Sequence, residues 1–280
     1  MSVLFMTAVV GLGAFLAGLV GSLTGIGGGV VIVPLLTLVF GVDIRYAVGA
    51  SLIAVIATSC GAAGTYVKGG FTNLRVGMLL EVGTVAGALL GTAIALMVSP
   101  NAIGILFAVT VLFNSLQSLR PRLPDPPVTE ASGKIGRALR LAGSYRDAGT
   151  VRHYEVRAVP LGFAIMLIAG ALSALLGIGS GVMKVLAMDR AMGLPFKVST
   201  ATSNFMLGVT AAASAGIYLQ RGYVDPAVTF PVVVGVLAGA RTGSRLFPGA
   251  SNRSLRILFV AVVVAIALQM LYRGLTGALG

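Results

Sequence analysis

Eight stretches of this chain are apolar for long enough to cross a lipid bilayer as helices, and that property decides what the chain can fold into. Crossing about 30 Å of hydrocarbon takes roughly 20 helical residues. That ruler selects Val3 to Thr24, Ala47 to Val67, Leu74 to Val98, Ile103 to Leu119, Ala158 to Leu176, Val198 to Leu219, Ala227 to Phe247 and Ile257 to Tyr272. Without water, backbone polar groups must pair inside their own segment, so the expected fold is an all-α polytopic membrane protein. Of its 280 residues, 57% are hydrophobic and 10% charged, which excludes a water-soluble enzyme and a disordered chain. The first run has no charged segment before it and has a later counterpart, so it reads as a mature helix rather than a cleaved leader.

The second constraint is duplication. Gly177 falls on Gly25 when the chain is slid by 177 − 25 = 152 positions, and the register holds without a gap from Gly25 to Gly91. Gly25-Ile26-Gly27-Gly28-Gly29-Val30 superposes on Gly177-Ile178-Gly179-Ser180-Gly181-Val182, Ser51 on Ser203, Gly64-Thr65-Tyr66 on Gly216-Ile217-Tyr218, and Ala86-Gly87 with Gly91 on Ala238-Gly239 with Gly243. Each glycine cluster precedes an apolar run too short to span, Val30 to Phe40 and Val182 to Met192. Each half is therefore expected to hold a helix and half-helix hairpin followed by three full spans. The division is 1–119 for the first membrane repeat, 120–157 for a basic linker and 158–280 for the second repeat.

Charge placement bears on orientation. The net charge is +12, a surplus that would suggest nucleic acid on a soluble protein, but here most basic residues flank apolar runs or fall in the central stretch from Arg120 to Arg157. If that stretch is cytoplasmic, counting spans backwards puts Lys68 and Arg75 inside and Asp43 to Arg45 outside; counting backwards from Arg245, Arg253 and Arg256 as a second cytoplasmic loop puts Arg221 and Asp225 outside and Arg190 and Lys197 inside. Equivalent loops then lie on opposite sides, the pattern of inverted-topology repeats, with both termini outside. The central stretch reads as a cytoplasmic linker; a surface-lying amphipathic helix over Lys134 to Arg146, contacting anionic lipid, is the alternative. Cys60 has no partner for an intrachain disulfide, and the lone His153 lies in the linker. With no HExxH motif, and with Met183 and Val185 flanking Lys184 where a Walker A loop needs glycine and a hydroxyl, neither metal nor nucleotide cofactor is expected.

Irregular backbone inside a membrane is tolerated only where it is buried in protein or lines a wet cavity. Amides around Gly27, Gly28 and Gly29 and around Gly179, Ser180 and Gly181 open helices, so they lack intrahelical acceptors and favour an anion. The competing reading is that these glycines serve close helix packing. Lys184, whose counterpart is Ile32, either supplies positive charge to that anion or snorkels to the cytoplasmic interface. Thr200, Ser203 and Asn204 share one face of a helix, and Ser51 is the first-half equivalent of Ser203. Thr58 and Thr210 are assigned to bonds between helices or back to their own carbonyls. Glu81, opposite Val233 in the repeat, either couples flux to protons or pairs with Arg241, Arg245 or Lys184. Arg241 and Arg245 suit a cytoplasmic vestibule.

The blocks Gly25-Ile26-Gly27-Gly28-Gly29 with Val33-Pro34, Gly177-Ile178-Gly179-Ser180-Gly181 with Lys184-Val185, and Lys197 through Met206 with Gly208 through Gly216 resemble the TauE/SafE sulfite exporter family of bacterial and archaeal membrane permeases. The similarity covers nearly the whole chain outside the linker. It implies a multi-pass permease of the cell (inner) membrane that carries sulfite, sulfoacetate or related sulfur oxyanions and organosulfonates, with no cofactor and with a homodimer allowed. The chain departs from the family in a long, strongly basic central loop. It also has Leu186 where many members carry a proline, a residue that Pro34 retains in the first half. Outward movement of one negative charge is favoured by about 2.3 kcal/mol per 100 mV in a cell with a negative interior, so export needs no co-ion. A proton-coupled importer and an anion channel remain the alternatives.

Overall fold

The computed structural model describes residues 3–24, 27–119, 133–147, 150–246 and 253–278. It is an all-α membrane protein: α1 (Val3–Thr24), α2 (Gly29–Pro34), α3 (Ile44–Lys68), α4 (Leu74–Ala95), α5 (Pro100–Leu119), a short α6 (Lys134–Ala138), α7 (Val159–Leu176), α8 (Gly181–Leu186), α9 (Phe196–Gln220), α10 (Pro226–Leu246) and α11 (Arg253–Leu275). Among the described residues, five helices, α3, α4, α5, α7 and α10, are long and apolar enough to cross a membrane. Helices cover all eight expected spans, but α4 stops at Ala95 rather than Val98, and Ala158 precedes α7 as its N-cap. Phe247, the expected last residue of one, lies outside the described residues.

The duplication reappears in the coordinates to the residue. Adding 152 to the bounds of α2 and α3 gives 181–186 and 196–220, the bounds of α8 and α9. Both short helices continue for one π-helical turn, Leu35–Val39 and Ala187–Ala191. Proline lacks the amide that closes an α-turn, which would account for widening after Pro34. The same widening after Leu186 shows that proline is not its cause.

The short helices fold back along the helices that precede them. Gly28 lies beside Ala17 and the Leu35 side chain covers Gly13, so α2 runs antiparallel to α1. Met192 covers Gly162 in the same way in the second hairpin. At about 1.5 Å per residue, neither return rod crosses a bilayer alone.

Glycines then lock the halves together in two matching seams. Gly83, Gly87 and Gly91 of α4 lie against Phe163, the Leu167 carbonyl and the Ala171 carbonyl of α7. Gly235, Gly239 and Gly243 of α10 lie against the carbonyls of Gly11 and Phe15 and, at Gly243, the Ser22 hydroxyl and Leu19 carbonyl of α1. Every fourth residue being small lets the backbones close up, the usual glue of membrane helices. Partner positions rise together along both chains, so each seam is parallel, and each joins one half to the other. Between the seams, α3 and α9 cross in opposite directions: Ser59 meets Asn204, Ala62 and Tyr66 cluster with Ala201, and Gly49 near the start of α3 meets Tyr223 just past the end of α9.

The central stretch differs from the expected plain linker or amphipathic helix. After α6 comes an antiparallel hairpin, β1 (Gly143–Asp147) with β2 (Thr150–Tyr154), in register Gly143 to Tyr154. Its Leu141, Tyr145, Tyr154 and Val156 are buried against Val76, Leu80, Met192, Val198 and Met206. Asn73 ties the hairpin down: its side chain donates to the Leu141 carbonyl at 2.9 Å and the Tyr154 hydroxyl at 3.0 Å, and caps α4 through the Val76 amide. Burial holds the Tyr154 phenol above its ordinary value, with the Asn73 bond working against that rise. Five residues of α6 are too few for a stable surface helix. The alternation Ser144-Tyr145-Arg146 and Val151-Arg152-His153-Tyr154 was the sequence signal for strands.

Candidate functional site

Both glycine breaks arrive at the middle of the α3 and α9 crossing and touch. Gly27 lies against Leu207 and the Ile178 carbonyl; Gly179 lies against Val55 and Leu207, two positions related by the repeat; Gly29 lies against the Gly177 carbonyl and the Ser51 hydroxyl. Gly27 (φ 82°) and Gly179 (φ 77°) occupy the left-handed region that glycine enters freely. The next position differs between halves: Gly28 has φ −73°, whereas Ser180 has φ 42°. A side chain in that region costs about 1–2 kcal/mol. The glycines thus let the two breaks approach one another, the packing role, at the same place where they open two helix starts.

Those starts leave amides with no intrahelical acceptor beside the junction, although the Gly27 amide donates to the Gly21 carbonyl at 3.5 Å. Val31 and Ile32 close onto the Gly28 carbonyl at 3.2 and 3.3 Å, and Lys184 onto the Ser180 carbonyl at 3.1 Å, so the amides preceding them come before the first helical turn. The hydroxyls hold the breaks to the crossing helices. Ser51 Oγ donates to the Gly177 carbonyl at 2.6 Å, linking the first half to the second break, and Ser203 Oγ donates to the Gly181 carbonyl at 3.3 Å. Asn204 Nδ2 donates to the carbonyls of Ser22 at 3.2 Å and Thr200 at 3.1 Å. Among the described residues, Thr200 Oγ1, Asn204 Oδ1 and Ser180 Oγ are buried with no hydrogen-bond partner. In an apolar interior an unpaired polar atom is expensive, which marks this junction as more than packing.

The residues that sequence separated come together one turn further in. Lys184 is fully buried, and its Nζ donates to Thr210 Oγ1 at 2.6 Å. Thr210 Oγ1 donates in turn to Glu81 Oε1 at 2.6 Å, and Glu81 Oε2 has no partner among the described residues. The same hydroxyl lies 3.1 Å from the Met206 carbonyl, an alternative acceptor one turn back. Three elements meet in this link: α8 supplies the ammonium, α9 the hydroxyl and α4, from the other half, the carboxylate. Full burial overturns the snorkelling reading of Lys184. Glu81 reaches Lys184 through a hydroxyl, while Arg241 and Arg245 are exposed on α10. Thr58 bonds back to the Ala54 carbonyl at 2.9 Å, as expected of it, but Thr210 carries a role that its sequence position did not disclose.

Two further residues escaped the sequence reading. Tyr66 Oη donates to the Ser22 carbonyl at 2.6 Å, and Tyr218 Oη to the Ala174 carbonyl at 3.4 Å. Both donor and acceptor are related by 152 positions, so the duplicated Gly64-Thr65-Tyr66 and Gly216-Ile217-Tyr218 were the available signal.

A duplicated bundle of apolar helices with two touching breaks fits a membrane transporter, and sequence comparison agrees. The family model described as sulfite exporter TauE/SafE matches residues 10–270. The chain belongs to that family. Relatives include the probable membrane transporter proteins YunE of Bacillus subtilis, 28% identical over 267 residues (93% of this chain and 95% of that one), and YdhB of the same organism, 27% identical over 232 residues (82% and 86%). The probable membrane transporter protein MJ0441 of Methanocaldococcus jannaschii is 23% identical over 271 residues, 92% of each chain. No solved structure matches. The chain is accordingly a membrane transporter of the TauE/SafE family.

Proposed function

We propose that this family member exports small sulfur oxyanions, sulfite or organosulfonates such as sulfoacetate, through a midplane site at the junction of the two breaks. The observation that carries the reading is Lys184: a fully buried ammonium beside the second break, in a core with one buried carboxylate among the described residues. Charge inside a membrane marks a substrate path. Amides of Gly27 to Gly29 and Gly179 to Gly181, with Ser51, Thr200, Ser203 and Asn204, would complete the shell once the junction parts. The two sections 1–119 and 158–280 act as inverted repeats rocking about it, a reading supported by the opposed directions of α3 and α9. The outward direction rests on the family's description. The hairpin end is read as cytoplasmic because Lys68, Arg75, Arg190 and Lys197 gather there with the basic stretch, and the cell membrane as its location.

The test is flux in proteoliposomes. Sulfite or sulfoacetate should saturate and outperform acetate, and Lys184→Met should lower flux at least about tenfold, a change of about 1.4 kcal/mol. Parental flux in that variant, or single-channel currents from the wild type, would refute a carrier built on Lys184.

A further inference from the structure

The Lys184–Thr210–Glu81 link suggests how the site handles charge, an inference that rests on the permease reading. We propose that Glu81 is the resident counter-anion of Lys184, displaced by the travelling anion only as it takes up a proton, so that each anion crosses with one proton.

The geometry sets the order of donation. Thr210 has one hydroxyl proton. Lys184 Nζ, which only donates, approaches Thr210 Oγ1 at 2.6 Å, and the hydroxyl passes its own proton towards Glu81 Oε1 at 2.6 Å. The chain therefore runs ammonium, hydroxyl, carboxylate, and the buried charges of the unloaded site sum to zero. An anion drawn to Lys184 from the break one turn away would leave two negative groups against one positive in a core where, among the described residues, no other charged side chain is buried.

Other elements packed on Glu81 do not relieve that imbalance. The sequence of α7 carries no charged residue; α9 offers Lys197 in its first turn and Tyr218 near its last; α8 offers Lys184; its π turn carries Asp189 and Arg190; Arg75 sits at the start of α4; and Tyr145 and Tyr154 cap that same end. Proton uptake by Glu81 restores neutrality for a monovalent anion and leaves one net negative charge for a divalent one: one proton leaves water, bonds a Glu81 oxygen, and returns to water on the other side when the anion leaves. Thr210 can accommodate both states. With Glu81 ionised its hydroxyl points to Oε1; with Glu81 protonated, the hydroxyl turns to the Met206 carbonyl at 3.1 Å. Flux of a monovalent anion would then follow the summed substrate and proton gradients and ignore voltage, so its export would be driven by the outward substrate gradient and not, as the co-ion-free expectation had it, by membrane potential.

Calorimetric titration of purified wild type in nanodiscs, with methanesulfonate and thiosulfate whose charge is fixed across neutral pH, reads proton uptake from the dependence of heat on buffer ionisation. The expected result is one proton taken up per anion bound. Glu81→Gln, an isosteric neutral form, should bind without proton uptake, and its flux should become voltage-driven and insensitive to a pH gradient. Anion binding to the wild type with no proton uptake, or unchanged uptake in Glu81→Gln, overturns the inference and leaves the permease reading standing. The wild-type titration decides this even if the variant does not fold. Failure of either anion, and of sulfite, to bind at all overturns the permease reading itself.

Discussion

The two halves share one framework and differ in what it carries. Lys184 and Thr210 of the second half and Glu81 of the first form a continuous polar link; the positions related to them by the repeat are Ile32, Thr58 and Val233, an apolar pair around a threonine bonded to its own helix. The exchange is reciprocal: α4 of the first half packs on α7 and α9 of the second, while α10 packs on α1 and α3. The repeat supplies the geometry twice, and charge occupies one of the two equivalent junctions, with one member drawn from each half. Where identical glycine seams recur, the difference between the copies is what marks chemistry, because packing alone would have kept them alike.

Disturbing one copy at a time tests that contrast, and the largest effect should come at the charged positions. Lys184→Met should abolish most flux, whereas Ile32→Met at the equivalent place should leave it within about twofold, since an apolar swap of similar volume is tolerated. The seams should behave alike in both copies. Gly87→Val and Gly239→Val each push a side chain into a facing carbonyl, and each should lower the unfolding midpoint in detergent by a similar margin, equivalent to about 1–3 kcal/mol or more. A large inequality would break the symmetry argued here.

Smaller effects sharpen the same comparison. Tyr66→Phe should destabilise by about 0.6–1.5 kcal/mol and Tyr218→Phe by less, because the first bond is 2.6 Å and the second 3.4 Å. Chemical denaturation of the two variants ranks them. The hairpin has no counterpart in the other half, and Tyr154 reports on it. Because its folded pKa is raised, the stability it contributes is complete below about pH 10, the unfolded value, and is lost as pH climbs through the folded value. Phenolate absorbance of Tyr154, isolated by comparison with Tyr154→Phe, should therefore emerge later than that of a free tyrosine.

Much of this was legible in the sequence because membranes restrict the choices. Apolar run length fixed the helices, and the 152-residue register predicted two short return helices, which begin one residue earlier than expected at Gly29 and Gly181. What sequence could not supply was which half touches which. Glu81 had four candidate roles because nothing in the order of residues says that α4 lies on α9, and Thr210 was assigned to its own helix because a serine or threonine in a helix usually bonds there. The β-hairpin was missed for a different reason: Leu139 and Leu141 between basic residues suggested a helix, while the strand alternation is only five residues long on each side. The expectation that the glycines wait open for an oxyanion met a junction in which they touch each other, so the proposed site has to part before an anion can enter it.

The account turns on one location, the second break beside Lys184. Diffraction or cryo-microscopy with selenite as a heavy analogue of sulfite measures it directly. The predicted result is bound selenium between the Gly179–Gly181 amides and Lys184 Nζ, lost in Lys184→Met. Selenium seated instead beside Ile32 in the first half, or retained at the second break after Lys184 is replaced, would contradict it.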